Sequence, residues 1–62
     1  MPIVTINLLR GRTIDQKRKA SEEITRVIVE VLKAHKDDVE ITFNEIDSEN
    51  FSRGGKLLID TK

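Results

Sequence analysis

The first apolar stretch of the chain, residues 3–9, alternates with a period of two residues. One face carries Val4, Ile6 and Leu8, and the other carries Ile3, Thr5, Asn7 and Leu9. This alternation predicts a β-strand with one apolar face and one mixed face.

The spacing of apolar residues changes to three and four after Arg10-Gly11-Arg12. Thr13 and Gln16 have the spacing of a capping box, which predicts that a helix begins near Ile14 and runs to about Ala34. Its apolar stripe is predicted to contain Ala20, Ile24, Val27, Ile28, Val31 and Leu32. Val29 is predicted to lie off this stripe, on the exposed side, where a second subunit would cover it.

Alternation returns in residues 39–44, which predicts a second strand after a polar turn. Two strands joined through a long helix lie parallel with a right-handed crossover, and the helix then covers one face of the sheet. Residues 47–50 are predicted to be a loop, and Gly54-Gly55 a turn before a terminal strand or hairpin. The expected fold is a single α/β domain over residues 1–62 with one bare sheet face.

Length and composition favour self-association. A chain of 62 residues builds only a thin core. It has no cysteine and a single histidine, His35, so disulfides and a metal site are not expected to stabilise it. Contacts between subunits would instead cover the bare sheet face.

Charge argues against nucleic acid or a membrane surface as a partner. Eleven basic and eleven acidic side chains cancel and are interspersed along the chain. The apolar start has no basic leader and no run long enough to span a bilayer, which predicts a cytoplasmic protein.

Most catalytic patterns are missing, but Pro2 offers one chemistry. Removal of Met1 would leave Pro2 as a terminal secondary amine that can take and return protons. Apolar surroundings and nearby cations would lower the pKa of that amine. If Met1 is retained, the nitrogen is an amide and is not a base; Pro2 would then simply begin an edge strand.

Three segments together resemble the 4-oxalocrotonate tautomerase family: Pro2-Ile3-Val4-x-Ile6, Gly11-Arg12-Thr13-x-x-Gln16-Lys17 and Phe51-x-x-Gly54-Gly55-Lys56. The resemblance runs without gaps over essentially the whole chain. It implies β-α-β subunits that form homohexamers as trimers of dimers, and a cofactor-free isomerase of the kind used in aromatic catabolism.

The resemblance also implies roles for three residues. Pro2 would be the general base that moves a proton from a dienol such as 2-hydroxymuconate to carbon. Arg12 would bind a substrate carboxylate through its forked guanidinium. Phe51 would form an apolar wall beside the proline, or simply pack in the core.

One position departs from the family pattern. The family tautomerases have a second substrate-binding arginine where this chain has Glu40. An anion there would repel a dicarboxylate. One hypothesis is that Arg10 or Arg53 supplies the missing positive charge, and Arg53 is favoured because it lies close to Phe51 in the sequence.

Two other functions stay open. The first is hydration of haloacrylates, with Glu40, Glu45 or Glu49 as the carboxylate that activates water. The second is a non-catalytic subunit of a hetero-oligomer, or a binding module for a small carboxylate.

Overall fold

The computed structural model describes residues 1–61. Strand β1 (Ile3–Leu9) leads into helix α1 (Ile14–Leu32) and strand β2 (Glu40–Ile46). The short strands β3 (Ser52–Arg53) and β4 (Lys56–Leu57) follow, and 3₁₀ turns occupy Lys36–Asp38, Ser48–Asn50 and Leu58–Asp60. The predicted α/β fold, with one β-α-β unit and a C-terminal hairpin, is confirmed.

Strands β1 and β2 pair in parallel over their whole length, from Ile3 opposite Glu40 to Leu9 opposite Ile46. The second strand begins one residue later and ends two residues later than its alternation predicts. The turn before it accounts for the late start, because the Val39 N–H donates to the Lys36 carbonyl oxygen at 3.2 Å and is not available to the sheet.

Helix α1 begins where the capping box predicts. The Thr13 hydroxyl accepts from the Gln16 N–H at 3.1 Å, and the Thr13 N–H donates to Gln16 Oε1 at 2.8 Å. The helix ends at Leu32, two residues before Ala34, because Lys33 adopts a left-handed conformation with φ 60°.

The helix covers one face of the sheet and leaves the other bare. Val4, Ile6 and Leu8 are half-buried beneath it, whereas Ile3 and Leu9 on the opposite face are 67% and 41% exposed. None of residues 1–61 is fully buried, and the molecule is only 14 Å thick along its shortest axis. The single chain therefore lacks a closed core.

The apolar stripe of α1 is only partly covered, because a two-stranded sheet is narrow. Val31 and Leu32 are 69% and 65% exposed although both belong to the predicted stripe. The placement of Val29 on the exposed side was wrong. Its side chain is half-buried in a shallow groove between α1 and Lys36, because the chain after the helix folds back along that side.

The C-terminal hairpin turns through Gly54 and Gly55, which have φ values of 61° and 84°. Two successive positive φ angles are what a tight two-residue hairpin turn requires, and glycine adopts them without steric cost. The Leu58 N–H donates to the Phe51 carbonyl oxygen at 2.8 Å and closes the hairpin at its base. No helix within residues 1–61 is long and apolar enough to cross a membrane.

Candidate active site

The predicted site residues lie at opposite ends of the parallel sheet. Pro2 and Glu40 are at the N-terminal end of the strands, where β1 and β2 both begin. The other four candidates follow the C-terminal ends of the strands: Arg10, Arg12, Phe51 and Arg53. A strand of this length spans about 20 Å, so one chain does not bring Pro2 and Arg12 together.

At the N-terminal end, strand pairing fixes the position of Pro2. The Glu40 N–H donates to the Pro2 carbonyl oxygen at 3.0 Å, which extends the ladder by one residue. Pro2 is half-buried, and Met1 before it is 80% exposed. Pro2, the candidate base, is therefore held by the backbone at the rim of the sheet.

At the C-terminal end, Arg10 belongs to an ionic network. Its Nε lies 2.6 Å from Asp47 Oδ1, and its Nη1 lies 3.2 Å from Glu45 Oε1. Lys17 Nζ approaches the second oxygen of Glu45 at 2.5 Å. The network joins the end of β1, the first turn of α1 and the end of β2.

These contacts alter the acidity of two groups. The hydrogen bond to Asp47, and then the nearby carboxylate charges, raise the pKa of Arg10 above its usual value. The hydrogen bond from Lys17 lowers the pKa of Glu45; the charges of Lys17 and Arg10 add to this effect, while partial desolvation and Asp47 oppose it. Glu45 is thereby kept as a paired carboxylate.

Arg12 lies immediately before the capping box of α1 and has an exposed side chain. It borders a shallow apolar surface that includes Ile6, Leu8 and Phe43. Within residues 1–61 its guanidinium makes no ion pair or side-chain hydrogen bond. A cation of this kind is free to bind an anion in two-point geometry.

Phe51 and Arg53 are brought together by the hairpin. The guanidinium carbon of Arg53 lies 5.8 Å from the centre of the Phe51 ring, within the range of a cation-π contact. Phe51 is half-buried and Arg53 is exposed. The pair presents one apolar group and one positive charge beside each other.

Sequence reasoning missed the roles of Lys17 and Asp47. Lys17 was singled out only as part of a family motif, and Asp47 only as part of a loop. Their partners are 28 and 37 residues away in the chain. Only the parallel register of β1 and β2, which sets the ends of both strands side by side, could have indicated the network.

Comparison with known proteins gives a consistent result. The family model described as Tautomerase enzyme matches residues 2–61. A probable tautomerase of Listeria monocytogenes is 40% identical over 55 residues, covering 89% of this chain and 90% of that protein. The 2-hydroxymuconate tautomerase of Bacillus subtilis is 33% identical over 60 residues, covering 97% of each.

A solved structure agrees with these sequence matches. It comes from a study of the 4-oxalocrotonate tautomerase isozymes of Methylibium petroleiphilum and superposes with a TM-score of 0.86 at 43% identity. The match covers 94% of this chain and 91% of that one. The fold and these relatives define an isomerase. The chain belongs to the tautomerase family, as the resemblance predicts.

Proposed function

We propose that this protein is a cytoplasmic, cofactor-independent tautomerase that interconverts enol and keto forms of small carboxylic acids, with Pro2 as the general base. The substrates would be dienols like 2-hydroxymuconate, or α-keto acids. This proposal rests on Pro2 becoming the amino terminus through loss of Met1.

The reaction needs no net change in composition. Pro2 nitrogen takes the proton of the enol hydroxyl, the carbonyl double bond forms as electron density moves to carbon, and the proton returns from the ammonium to that carbon. A secondary amine suits both steps, because it changes between neutral and protonated forms without other covalent chemistry.

The observation that carries the proposal is the match of the tautomerase family model to residues 2–61. Within one chain, Pro2 is separated from the candidate binding cations by about the length of a strand, roughly 20 Å. Pro2 of one subunit would meet Arg12 of a neighbour, and the site would lie between chains. The exposed Ile3, Val31 and Leu32 support association, because a stable monomer rarely leaves such apolar surface in water. We propose a homohexamer, a trimer of dimers, as the assembly.

The contacts of Arg53 and Arg10 differ in whether they leave the guanidinium group available to a substrate. Arg53 stands beside Phe51 and makes no ion pair within residues 1–61, so it could contact a substrate while Phe51 excludes water. Arg10 is engaged by two carboxylates. Of these two arginines, Arg53 is therefore the better candidate for substrate binding.

The test is ketonisation of 2-hydroxymuconate followed by ultraviolet absorbance, with protein checked by mass for loss of Met1. Pro2→Ala keeps a small second residue, so Met1 is still removed, but the secondary amine is lost. We expect kcat/KM to fall by about 10²- to 10⁴-fold, the usual contribution of a general base. Full activity in Pro2→Ala, or in protein that retains Met1, would contradict the proposal.

Hydration of haloacrylates is a second candidate because Glu40 lies beside Pro2 at the same sheet end. Glu45 is less suited to activating water, since Lys17 and Arg10 both engage its carboxylate. Release of halide from 3-chloroacrylate that depends on both Pro2 and Glu40 would favour this reaction. A chain that assembles but catalyses neither reaction would instead be a non-catalytic subunit.

A further inference from the structure

Glu40 is the ionisable residue whose backbone strand pairing sets beside Pro2. It is the first residue of β2 and the register partner of Ile3, and its N–H donates to the Pro2 carbonyl oxygen at 3.0 Å. Partners in a parallel ladder project to the same side, so the Glu40 carboxylate lies on the bare face of the sheet next to the side chain of Ile3.

No side chain within residues 1–61 pairs with this carboxylate. Glu40 is exposed, and within residues 1–61 it takes part in no ion pair and no side-chain hydrogen bond. Other charged groups occur where α1 ends and in the turn before β2: Lys33, Lys36, Asp37 and Asp38. Two of these are basic and two acidic, so their charges cancel, and the Pro2 amine, which is neutral when it acts as a base, does not offset the charge of Glu40.

The neighbour of Glu40 on the same face is apolar. Ile3 is 67% exposed, so the surface beside Pro2 combines one hydrocarbon side chain with one anion. An uncharged or apolar group of a substrate can lie against Ile3, whereas a carboxylate placed there is repelled by Glu40.

We propose that Glu40 determines the substrate class by rejecting a second carboxylate near Pro2, so that the enzyme prefers enol acids with one carboxylate and an uncharged remainder. This inference rests on the proposed function. The single carboxylate would be bound by Arg12 of a neighbouring subunit, and the uncharged part would lie over Ile3.

Simple electrostatics gives the size of the effect. Two like charges about 8 Å apart, in the intermediate dielectric of a partly enclosed site, repel strongly enough to weaken binding roughly 10- to 30-fold. The repulsion is screened by salt, because the Debye length falls from about 30 Å at 0.01 M to about 3 Å at 1 M ionic strength. If Glu40 served only in subunit packing, we would expect neither weaker binding of a second carboxylate nor a dependence of that binding on salt.

The experiment compares two substrates, the dicarboxylate 2-hydroxymuconate and the monocarboxylate enol of phenylpyruvate. The variants are wild type, Pro2→Ala, Glu40→Gln and Glu40→Asp, with Glu22→Gln as the matched control on the exposed side of α1. The quantity measured is the ratio of kcat/KM for the monocarboxylate to kcat/KM for the dicarboxylate, at low and at high salt.

We expect wild type to favour the monocarboxylate, and Glu40→Gln to lower the ratio about tenfold by improving the dicarboxylate. Glu40→Asp and Glu22→Gln should keep the wild-type preference, and high salt should reduce it. A ratio that is unchanged in Glu40→Gln overturns the inference. If that variant fails to assemble, a wild-type ratio that is insensitive to salt overturns it.

Loss of both activities in Pro2→Ala with an unchanged ratio in Glu40→Gln would remove only the role of Glu40. Retention of both activities in Pro2→Ala would remove the proposed function itself, and the role of Glu40 with it.

Discussion

The two ends of the β1-β2 sheet differ in how their polar side chains are used. At the N-terminal end, the Pro2 carbonyl accepts one hydrogen bond from the Glu40 N–H, and the Glu40 side chain has no partner within residues 1–61. At the C-terminal end, Arg10, Lys17, Glu45 and Asp47 form a network of ion pairs. The first end has Pro2, and the second has the candidate binding cations Arg10, Arg12 and Arg53.

If Pro2 is the base and Arg12 binds the carboxylate, as proposed, this difference means that one chain does not hold a complete site. A base without a nearby binding cation does not orient a carboxylate substrate, and Arg12 without a base does no proton transfer. Because the ends are about 20 Å apart, we propose that a neighbouring subunit completes each of them. The absence of any fully buried residue within 1–61 also supports association with other subunits.

Replacing Arg12 is expected to have the largest effect on the C-terminal end. Arg12→Ala should lower kcat/KM for 2-hydroxymuconate by about 10- to 100-fold, because a hydrogen bond to a charged group is lost. Arg18→Ala, which removes an exposed arginine paired within residues 1–61 with Asp15 alone, is the control. Equal effects from the two variants would mean that Arg12 does not bind substrate.

Replacing Arg53 is expected to affect mainly substrate binding, and replacing Arg10 is expected to affect mainly stability. Arg53→Ala should reduce kcat/KM by about tenfold with little change in Tm, since its contact with Phe51 is at the surface. Arg10→Ala should lower Tm with a smaller effect on activity, because its partners are Glu45 and Asp47. If neither variant changes kcat/KM, no extra cation supplements Arg12.

The start of the helix was predicted residue by residue, and its cap can be tested. Thr13→Ala should destabilise the protein by about 1 kcal/mol, since it leaves the Gln16 N–H without its acceptor. Thr13→Ser retains the hydroxyl and should recover most of this loss. Thermal unfolding at fixed protein concentration measures both variants; equal Tm values for Thr13→Ala and wild type would exclude a stabilising cap.

The smallest expected effect is a pH-dependent one at Glu45. Because the pKa of its carboxyl is lowered in the folded chain, the stabilisation from Lys17 and Arg10 is present above the ordinary value of 4.5 and is lost as pH falls through the lowered pKa. The Tm of Glu45→Gln should be below that of wild type at neutral pH and converge with it in acid. A difference that is constant with pH, or equal to that of Glu22→Gln, would contradict this.

Local patterns predicted the fold well because each element is specified by neighbouring residues. Alternation placed β1, Thr13 and Gln16 placed the start of α1, and Gly54-Gly55 placed the hairpin turn. The end of α1 was less well predicted, since the left-handed Lys33 has no clear signal in the sequence. The partial exposure of Val31 depends on the width of the sheet, which local spacing does not reveal.

The candidate site was predicted as a set of residues but not as an arrangement. Pro2, Arg12 and Phe51 came from resemblance, and their separation became visible only from the direction and length of the strands. The pairing of Arg10 with Asp47, 37 residues away, depends on the same tertiary register. No local sequence pattern predicts long-range contacts of this kind.

Subunit mixing tests the shared site most directly. Pro2→Ala and Arg12→Ala chains, each well below wild-type activity alone, would be unfolded together in equal amounts and refolded. If each site takes Pro2 from one chain and Arg12 from another, random assembly regenerates about a quarter of the wild-type sites, so about that share of the activity should return. Activity no greater than the average of the two parent variants would contradict a site built between subunits.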